Sequence, residues 1–191
     1  MRRTVLKLGA AASLAVLASP ALAHVGAGHA DGFAAGVAHP LMGLDHLLAM
    51  AAVGIWSAVA MPSRILVAPA TFVAMMIAGA AMAFAGIGLP AVEGMVALSV
   101  LVLGMMIVAG AGLPGMLGIG LGGFFALFHG HAHASEATGM ALAYVGGFTL
   151  STAALHLAGV GIGLRLASSP WVCAGLGVVV AGSGATLVFG G

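Results

Sequence analysis

The sequence predicts an all-α membrane protein: a bundle of six transmembrane helices after a cleaved signal peptide, with outer N- and C-termini. Of the 191 residues, 62% are apolar and only 5% are charged. Soluble domains carry about 25% charged residues, so this chain has too few charges to cover a surface exposed to water. The chain also contains a series of apolar segments that approach the roughly 17 to 25 residues needed to cross a bilayer.

The same composition excludes several classes of protein. A soluble enzyme and a disordered chain both need more polar residues than this sequence has. The net charge of +1 offers no basic surface for nucleic acid. The single cysteine, Cys173, excludes a disulfide framework and a zinc site built from cysteines.

The N-terminal residues have the pattern of a secretory signal. Arg2, Arg3 and Lys7 are followed by a short apolar run over 8–18 and by an A-x-A cleavage site at 21–23. The alternative, an uncleaved first helix, is disfavoured because the run is too short to span about 30 Å of hydrocarbon. The arginine pair leaves twin-arginine export open beside the general secretory route. We therefore predict two parts: signal peptide 1–23 and a single transmembrane domain 24–191.

Six apolar segments follow between glycine, proline and charged residues, and they are expected to be helices because lipid cannot satisfy open backbone groups. The fourth segment is short unless it continues into the histidines after it. We expect Pro40 to be the first helical residue of the first segment, where proline costs least. The segments are Leu41–Ala60, Ile65–Gly86, Glu93–Gly112, Gly115–Phe128, Thr138–Leu164 and Pro170–Gly190.

The two remaining basic residues agree with one orientation. Cleavage of the signal would place the mature N-terminus in the periplasm of a bacterium, with the domain crossing the inner (cytoplasmic) membrane several times. Arg64 and Arg165 then fall on the cytoplasmic side, as the positive-inside rule requires. On this topology all four acidic residues and seven of the eight histidines lie on the periplasmic side.

Imidazole and carboxylate together bind borderline divalent metals such as Ni²⁺, Co²⁺, Zn²⁺ and Cu²⁺. Two groups stand out, the first being His39, Asp45 and His46, with Asp45 either ligating directly or orienting an imidazole. Met42 would continue a helical stripe through His46, although packing explains a methionine equally well. The complete set of candidate ligands is His24, His29, His39, Met42, Asp45, His46, Glu93, His129, His131, His133, Glu136 and His156.

The second group is His129, His131 and His133, followed by Glu136. On a helix, His129 and His133 share a face and His131 points away, whereas an unwound segment would aim all three the same way. Glu93 is a candidate ligand or proton acceptor. His156 lies deeper and is either a structural histidine or a second metal station. Cleavage after residue 23 would make His24 the new terminus, where its amine and imidazole could chelate an ion together.

Four stretches in order, HPLMGLDHLLAM, LPAVEGMVALSVLVLG, FFALFHGHAHASE and YVGGFTLSTAALHLAG, resemble the HupE/UreJ family. These are membrane proteins associated with hydrogenase and urease and regarded as nickel or cobalt permeases. The resemblance implies secondary import of Ni²⁺ or Co²⁺ as substrate, without a prosthetic group, and an indirect link to the maturation of nickel or cobalt enzymes. The family's ligand positions fall on His39, Asp45, His46 and Glu93, and on the histidine run 129–133.

Two functions remain open at this level. A transporter would capture the cation at the periplasmic ligands and pass it inward; no Walker-type motif is present to couple transport to a nucleotide. A metal-dependent intramembrane enzyme, a hydrolase or lipid oxidase, would use the same His/Asp cluster, although HExxH is absent. We favour the transporter and predict that the chain is not an enzyme. Its partners would be the metal ion and the lipid bilayer; the oligomeric state, a homo-oligomer included, stays open.

Overall fold

The structure, a computed structural model, describes residues 32–190 of the chain. The predicted signal peptide, His24 and His29 lie outside these residues. Within the described part the chain is helical, with seven α-helices and no strand. The helices are α1 (Gly32–Met42), α2 (Leu44–Ala60), α3 (Val67–Phe84), α4 (Val92–Ala109), α5 (Gly115–Ser135), α6 (Ala141–Leu166) and α7 (Pro170–Phe189).

The helices are apolar and long enough to identify a membrane protein. Four of those in the described residues, α3, α4, α6 and α7, qualify as spans, and the bent pair α1 and α2 makes a fifth if it is counted as one. Helix α5 is 21 residues long but falls outside this set, because its glycines and histidines lower its hydropathy. The predicted helical membrane fold is confirmed, whereas the count of six spans stays a prediction.

The first predicted segment differs most from its expected form. Pro40 does not begin a helix but lies in the last turn of α1. The chain then breaks at Gly43, which has extended backbone angles (φ −88°, ψ 117°), and α2 leaves at 80° to α1. The physical reason is that a proline near the end of a helix removes only one late backbone bond, so the small residues before it still form a helical turn that packs on α6.

Pairs of glycines set how the helices pack. The closest helix pairs are α1 with α6, α2 with α6, α3 with α5, and α4 with α7. In each pair one glycine from each helix faces the partner's backbone so closely that a Cβ atom would clash with it. Such contacts let membrane helices approach when no hydrophobic force drives them together. The glycines are Gly36 and Gly147, Gly54 and Gly159, Gly79 and Gly130, and Gly104 and Gly184.

Two glycines on α5 offer a matched test of this packing. A Cβ at Gly130 would collide with the Met76 carbonyl of α3, whereas a Cβ at Gly120 meets nothing within 4 Å. Gly130→Ala is therefore expected to destabilise the protein by about 1–3 kcal/mol, the usual cost of overpacking. Gly120→Ala should leave it unchanged. Thermal unfolding of both variants in detergent measures the difference, and equal midpoints would contradict the packing scheme.

Candidate metal-binding site

Four imidazole rings gather where α1, α2 and α5 meet, and we call His39, His46, His129 and His133 the histidine cluster. The ring of His46 lies 4.5 Å from His133, 4.7 Å from His129 and 5.9 Å from His39, measured between centroids. His39 and His133 are 4.8 Å apart. Except for His39, which is 24% exposed at its side chain, the cluster is buried.

Local backbone geometry brings these rings together. The break at Gly43 turns α1 against α2, so that His39 folds back toward His46 and does not stand two turns above it along one helix. Helix α5 continues unbroken through the histidine run. His129 and His133, four residues apart, therefore share one face. The alternative prediction, an unwound segment over residues 129–133, is therefore wrong.

His46 is held by its neighbour in the chain. Its Nδ1 lies 2.8 Å from Asp45 Oδ1, which also accepts the backbone N–H of His46 at 2.7 Å. A carboxylate only accepts, so the neutral ring carries its hydrogen on Nδ1 and its lone pair on Nε2. That Nε2 is buried and has no hydrogen-bond partner among the described residues. A carboxylate behind an imidazole in this way is the usual support of a metal-bound histidine.

His129 is oriented by Ser99, a residue that belongs to none of the predicted ligand groups. Ser99 of α4 donates its hydroxyl hydrogen to the Val96 carbonyl at 2.6 Å. Its oxygen is then free to accept from His129 Nε2, 2.8 Å away. The lone pair of His129 therefore lies on Nδ1, which is buried and unpartnered in the part of the chain that the structure describes. The sequence signal that could have identified Ser99 is that it is the one hydroxyl residue within the apolar stretch of α4.

His133 lies beside both His39 and His46 in the cluster. Its ring stacks on Phe148 of α6 with centroids 4.9 Å apart and planes 10° from parallel. Within residues 32–190 neither of its nitrogens has a hydrogen-bond partner. A buried polar atom left unpaired costs about 1–3 kcal/mol. The cluster thus concentrates unpaired imidazole nitrogens that an electron-pair acceptor would satisfy.

The exposed edge of the cluster carries an acid. His39 Nε2 lies 3.4 Å from Glu136 Oε2, and the Glu136 side chain is 59% exposed. Glu136 of the second ligand group thus lies beside His39 of the first group in the structure. Glu136 and His39 mark where the cluster opens to the surroundings.

The rings pack edge against face rather than aiming their nitrogens at one point. Accordingly, no three His, Cys, Asp or Glu side chains within residues 32–190 are positioned to hold one ion as they stand. Rotation of the imidazoles about their side-chain bonds is required before several of them can share an ion.

Other predicted ligands lie elsewhere. His131 points away from the cluster, where its Nε2 donates to the Ile87 carbonyl at 3.1 Å and its Nδ1 lies 3.4 Å from Ser135 Oγ. Glu93 is exposed in the first turn of α4. Met42 is 76% exposed on the far side of the Gly43 break, so the predicted stripe through His46 does not form there.

His156 lies apart from the cluster on α6. Its Nδ1 is 2.7 Å from the Met50 carbonyl of α2. The Phe72 ring of α3 packs against both sites, with its centroid 5.6 Å from that of His129 and 5.1 Å from that of His156. Phe72 is fully buried and was not distinguished from other apolar residues by the sequence.

The known proteins that this chain resembles belong to one family. The family model described as HupE / UreJ protein matches residues 12–187. The protein named HupE of Rhizobium leguminosarum bv. viciae is 41% identical over 183 residues, covering 93% of this chain and 96% of that relative. No solved structure matches the chain. Members of this family are accessory, permease-like proteins and not enzymes, which confirms that expectation. The chain belongs to the HupE/UreJ family.

Proposed function

We propose that this protein is a secondary transporter that imports a divalent transition metal, Ni²⁺ or Co²⁺, through the histidine cluster. One observation carries the proposal: His46, His129 and His133 present buried imidazole nitrogens that lack hydrogen-bond partners within the described residues. Neutral imidazole suits nickel, cobalt, zinc and copper, while harder ions such as Mg²⁺ prefer oxygen. The family resemblance favours nickel or cobalt among these.

The broken first helix pair favours a transport function for the cluster and disfavours a structural metal site with a permanently bound ion. Discontinuous helices near the binding site are a recurrent feature of secondary transporters, because their exposed helix ends and freed backbone groups help to bind the substrate. Here the break at Gly43 separates His39 from His46 by a single hinge. A shift of α1 against α2 would alter the ligand set without disturbing the Asp45–His46 pair.

The orientation follows from the charges. Arg64 lies in the turn after α2 and Arg165 in the last turn of α6, each at the end of its helix remote from the cluster. With both arginines in the cytoplasm, the cluster faces the periplasm. A potential that is negative inside then favours entry of a dication by about twice 2.3 kcal/mol per 100 mV. We also propose that residues 1–23 are removed and that the new terminus at His24 collects metal for the cluster.

The direct test is uptake of radiolabelled nickel by bacteria whose own nickel permeases have been deleted. Cells that express the chain are expected to accumulate label several-fold above cells with an empty vector. Unlabelled Co²⁺ should compete and Mg²⁺ should not. Background accumulation at verified expression would refute transport of nickel, and the same assay with labelled cobalt separates the two cargoes.

Asp45 provides a prediction about how His46 is held. Asp45→Ala removes the acceptor behind His46 Nδ1, so apparent nickel affinity should fall about 10–100-fold, as for other residues that orient a metal ligand. Asp45→Asn retains an oxygen acceptor and should recover part of the loss. The measurement is the nickel concentration for half-maximal uptake. If asparagine is as damaging as alanine, Asp45 binds the ion itself.

A further inference from the structure

His156 has a fixed hydrogen on one nitrogen and a free lone pair on the other. The Met50 carbonyl can only accept, so His156 Nδ1 donates to it across the 2.7 Å contact. The neutral ring then carries its lone pair on Nε2. This side chain is 1% exposed, and Nε2 has no partner in the described residues. The arrangement repeats that of His46, with a backbone carbonyl in place of a carboxylate.

A purely structural role leaves the choice of imidazole unexplained. A tie between α6 and α2 needs only the one donor that reaches Met50. An imidazole adds a second polar atom in an apolar layer, at a cost of about 1–3 kcal/mol if that atom stays unpaired. Metal-binding histidines have the same combination: one N–H anchored on a carbonyl or carboxylate, and one lone pair left for the ion.

The surroundings of His156 contain a second soft donor. Met50 is fully buried, and its thioether accepts a hydrogen bond from Thr152 Oγ1 at 3.3 Å. Thr152 lies one turn before His156 on α6, so the Met50 side chain and the His156 ring belong to one layer of the bundle. Thioether sulfur and imidazole nitrogen both suit late transition metals.

The layer lies further along the bundle than the histidine cluster. His156 is two turns beyond Phe148, the residue that stacks on His133, which is about 12 Å along the helix at about 1.5 Å per residue. The Phe72 ring contacts both His129 and His156. An ion that leaves the cluster toward the arginine end of α6 therefore meets Phe72 and then His156.

We propose that His156, together with the Met50 thioether of the same layer, forms a second metal station, and that the Phe72 ring, which contacts both His129 and His156, links it to the histidine cluster. This inference rests on the proposed function, because it places the station on the path of the imported ion. Two stations of moderate affinity let an ion advance by steps, since a site from which the ion can leave is needed for throughput.

The test uses His156→Asn in the full chain. The asparagine amide stands near the Nδ1 position and can still donate to Met50, but the Nε2 lone pair is gone. Purified protein with a tag free of histidine is dialysed against Ni²⁺ and against Co²⁺. The variant is expected to bind one ion fewer than the wild type and to transport at least tenfold more slowly. His131→Asn, whose ring contacts the Ile87 carbonyl and Ser135, is the matched control and should do neither.

The two hypotheses fail differently. Equal numbers of bound ions in wild type and His156→Asn overturn the second station, whatever the uptake. A wild type that binds one ion more than the variant yet accumulates no metal in cells supports the station and refutes import. If His156→Asn does not fold in gel filtration, His156→Leu replaces it, because leucine also lacks the Nε2 lone pair and adds no polar atom to the layer, and the same count decides.

Discussion

Replacing His46 by alanine is expected to reduce nickel and cobalt uptake to the background of cells that lack the protein. His46 is the ring that contacts each of the other three in the histidine cluster. Its Nε2 is a buried lone pair already oriented by Asp45. Loss of residues that merely orient a ligand costs about 10–100-fold, so loss of the ligand itself should cost at least the upper part of that range.

The matched control for this variant is Met42→Ala, only four residues earlier. Its side chain is 76% exposed and lies across the Gly43 break, so its loss should leave uptake unchanged. Initial rates of radiolabelled nickel uptake, normalised to the protein found in membranes, give the comparison. Normal uptake by a well-expressed His46→Ala protein would remove the cluster from the transport path.

His133→Ala is expected to have a comparable effect for a different reason. Both nitrogens of His133 lack partners in the described residues, so this ring can turn either one toward an ion. It also contacts both His39 and His46 and thereby joins α1, α2 and α5. We expect uptake at limiting nickel to fall at least about tenfold, with partial recovery at high nickel because other imidazoles remain.

His131→Ala on the same helix separates a specific role of His133 from general damage to α5. Two residues earlier, its ring contacts the Ile87 carbonyl and Ser135 and takes no part in the cluster. Thermal unfolding of both variants is measured beside uptake. An equal loss of uptake in the two variants would argue that the whole histidine run, and not one face of it, serves transport.

The helical membrane fold could be predicted because each apolar segment is bounded by glycine, proline or charge and has a length that only helices tolerate in lipid. Five of the six predicted segments each overlap one α-helix, and the first overlaps both α1 and α2 because the chain breaks at Gly43. Helix α1 was missed because Pro40 was interpreted as a helix start, whereas it lies in a last turn. Its signal was the run of small residues ending in Gly36, which packs on the Tyr144 backbone.

The candidate ligands could be found in the sequence, but the sequence could not show which of them lie together in the cluster and which lie elsewhere. The run 129–133 is compatible with a helix or an unwound segment, and only the continuation of α5 separates His131 from its neighbours. The contacts of Ser99 with His129 and of Met50 with His156 join residues far apart in the chain. No local pattern encodes them, because they follow from which helices pack together.

The hydrogen bonds of the histidines can form at different times while the ribosome inserts the helices into the membrane one after another. Asp45 and His46 are adjacent, so α2 enters the bilayer with its imidazole already partnered. His129 finds Ser99 on the preceding helix, and the pair is complete as soon as α5 follows α4. The partner of His156, in contrast, is the Met50 carbonyl, which lies 106 residues earlier in the chain, so this bond forms only when α6 has been made and packs on α2. Nascent chains that stop before α6 therefore leave Met50 without this tie, so α6 can close over α2 only after α3, α4 and α5 have been made.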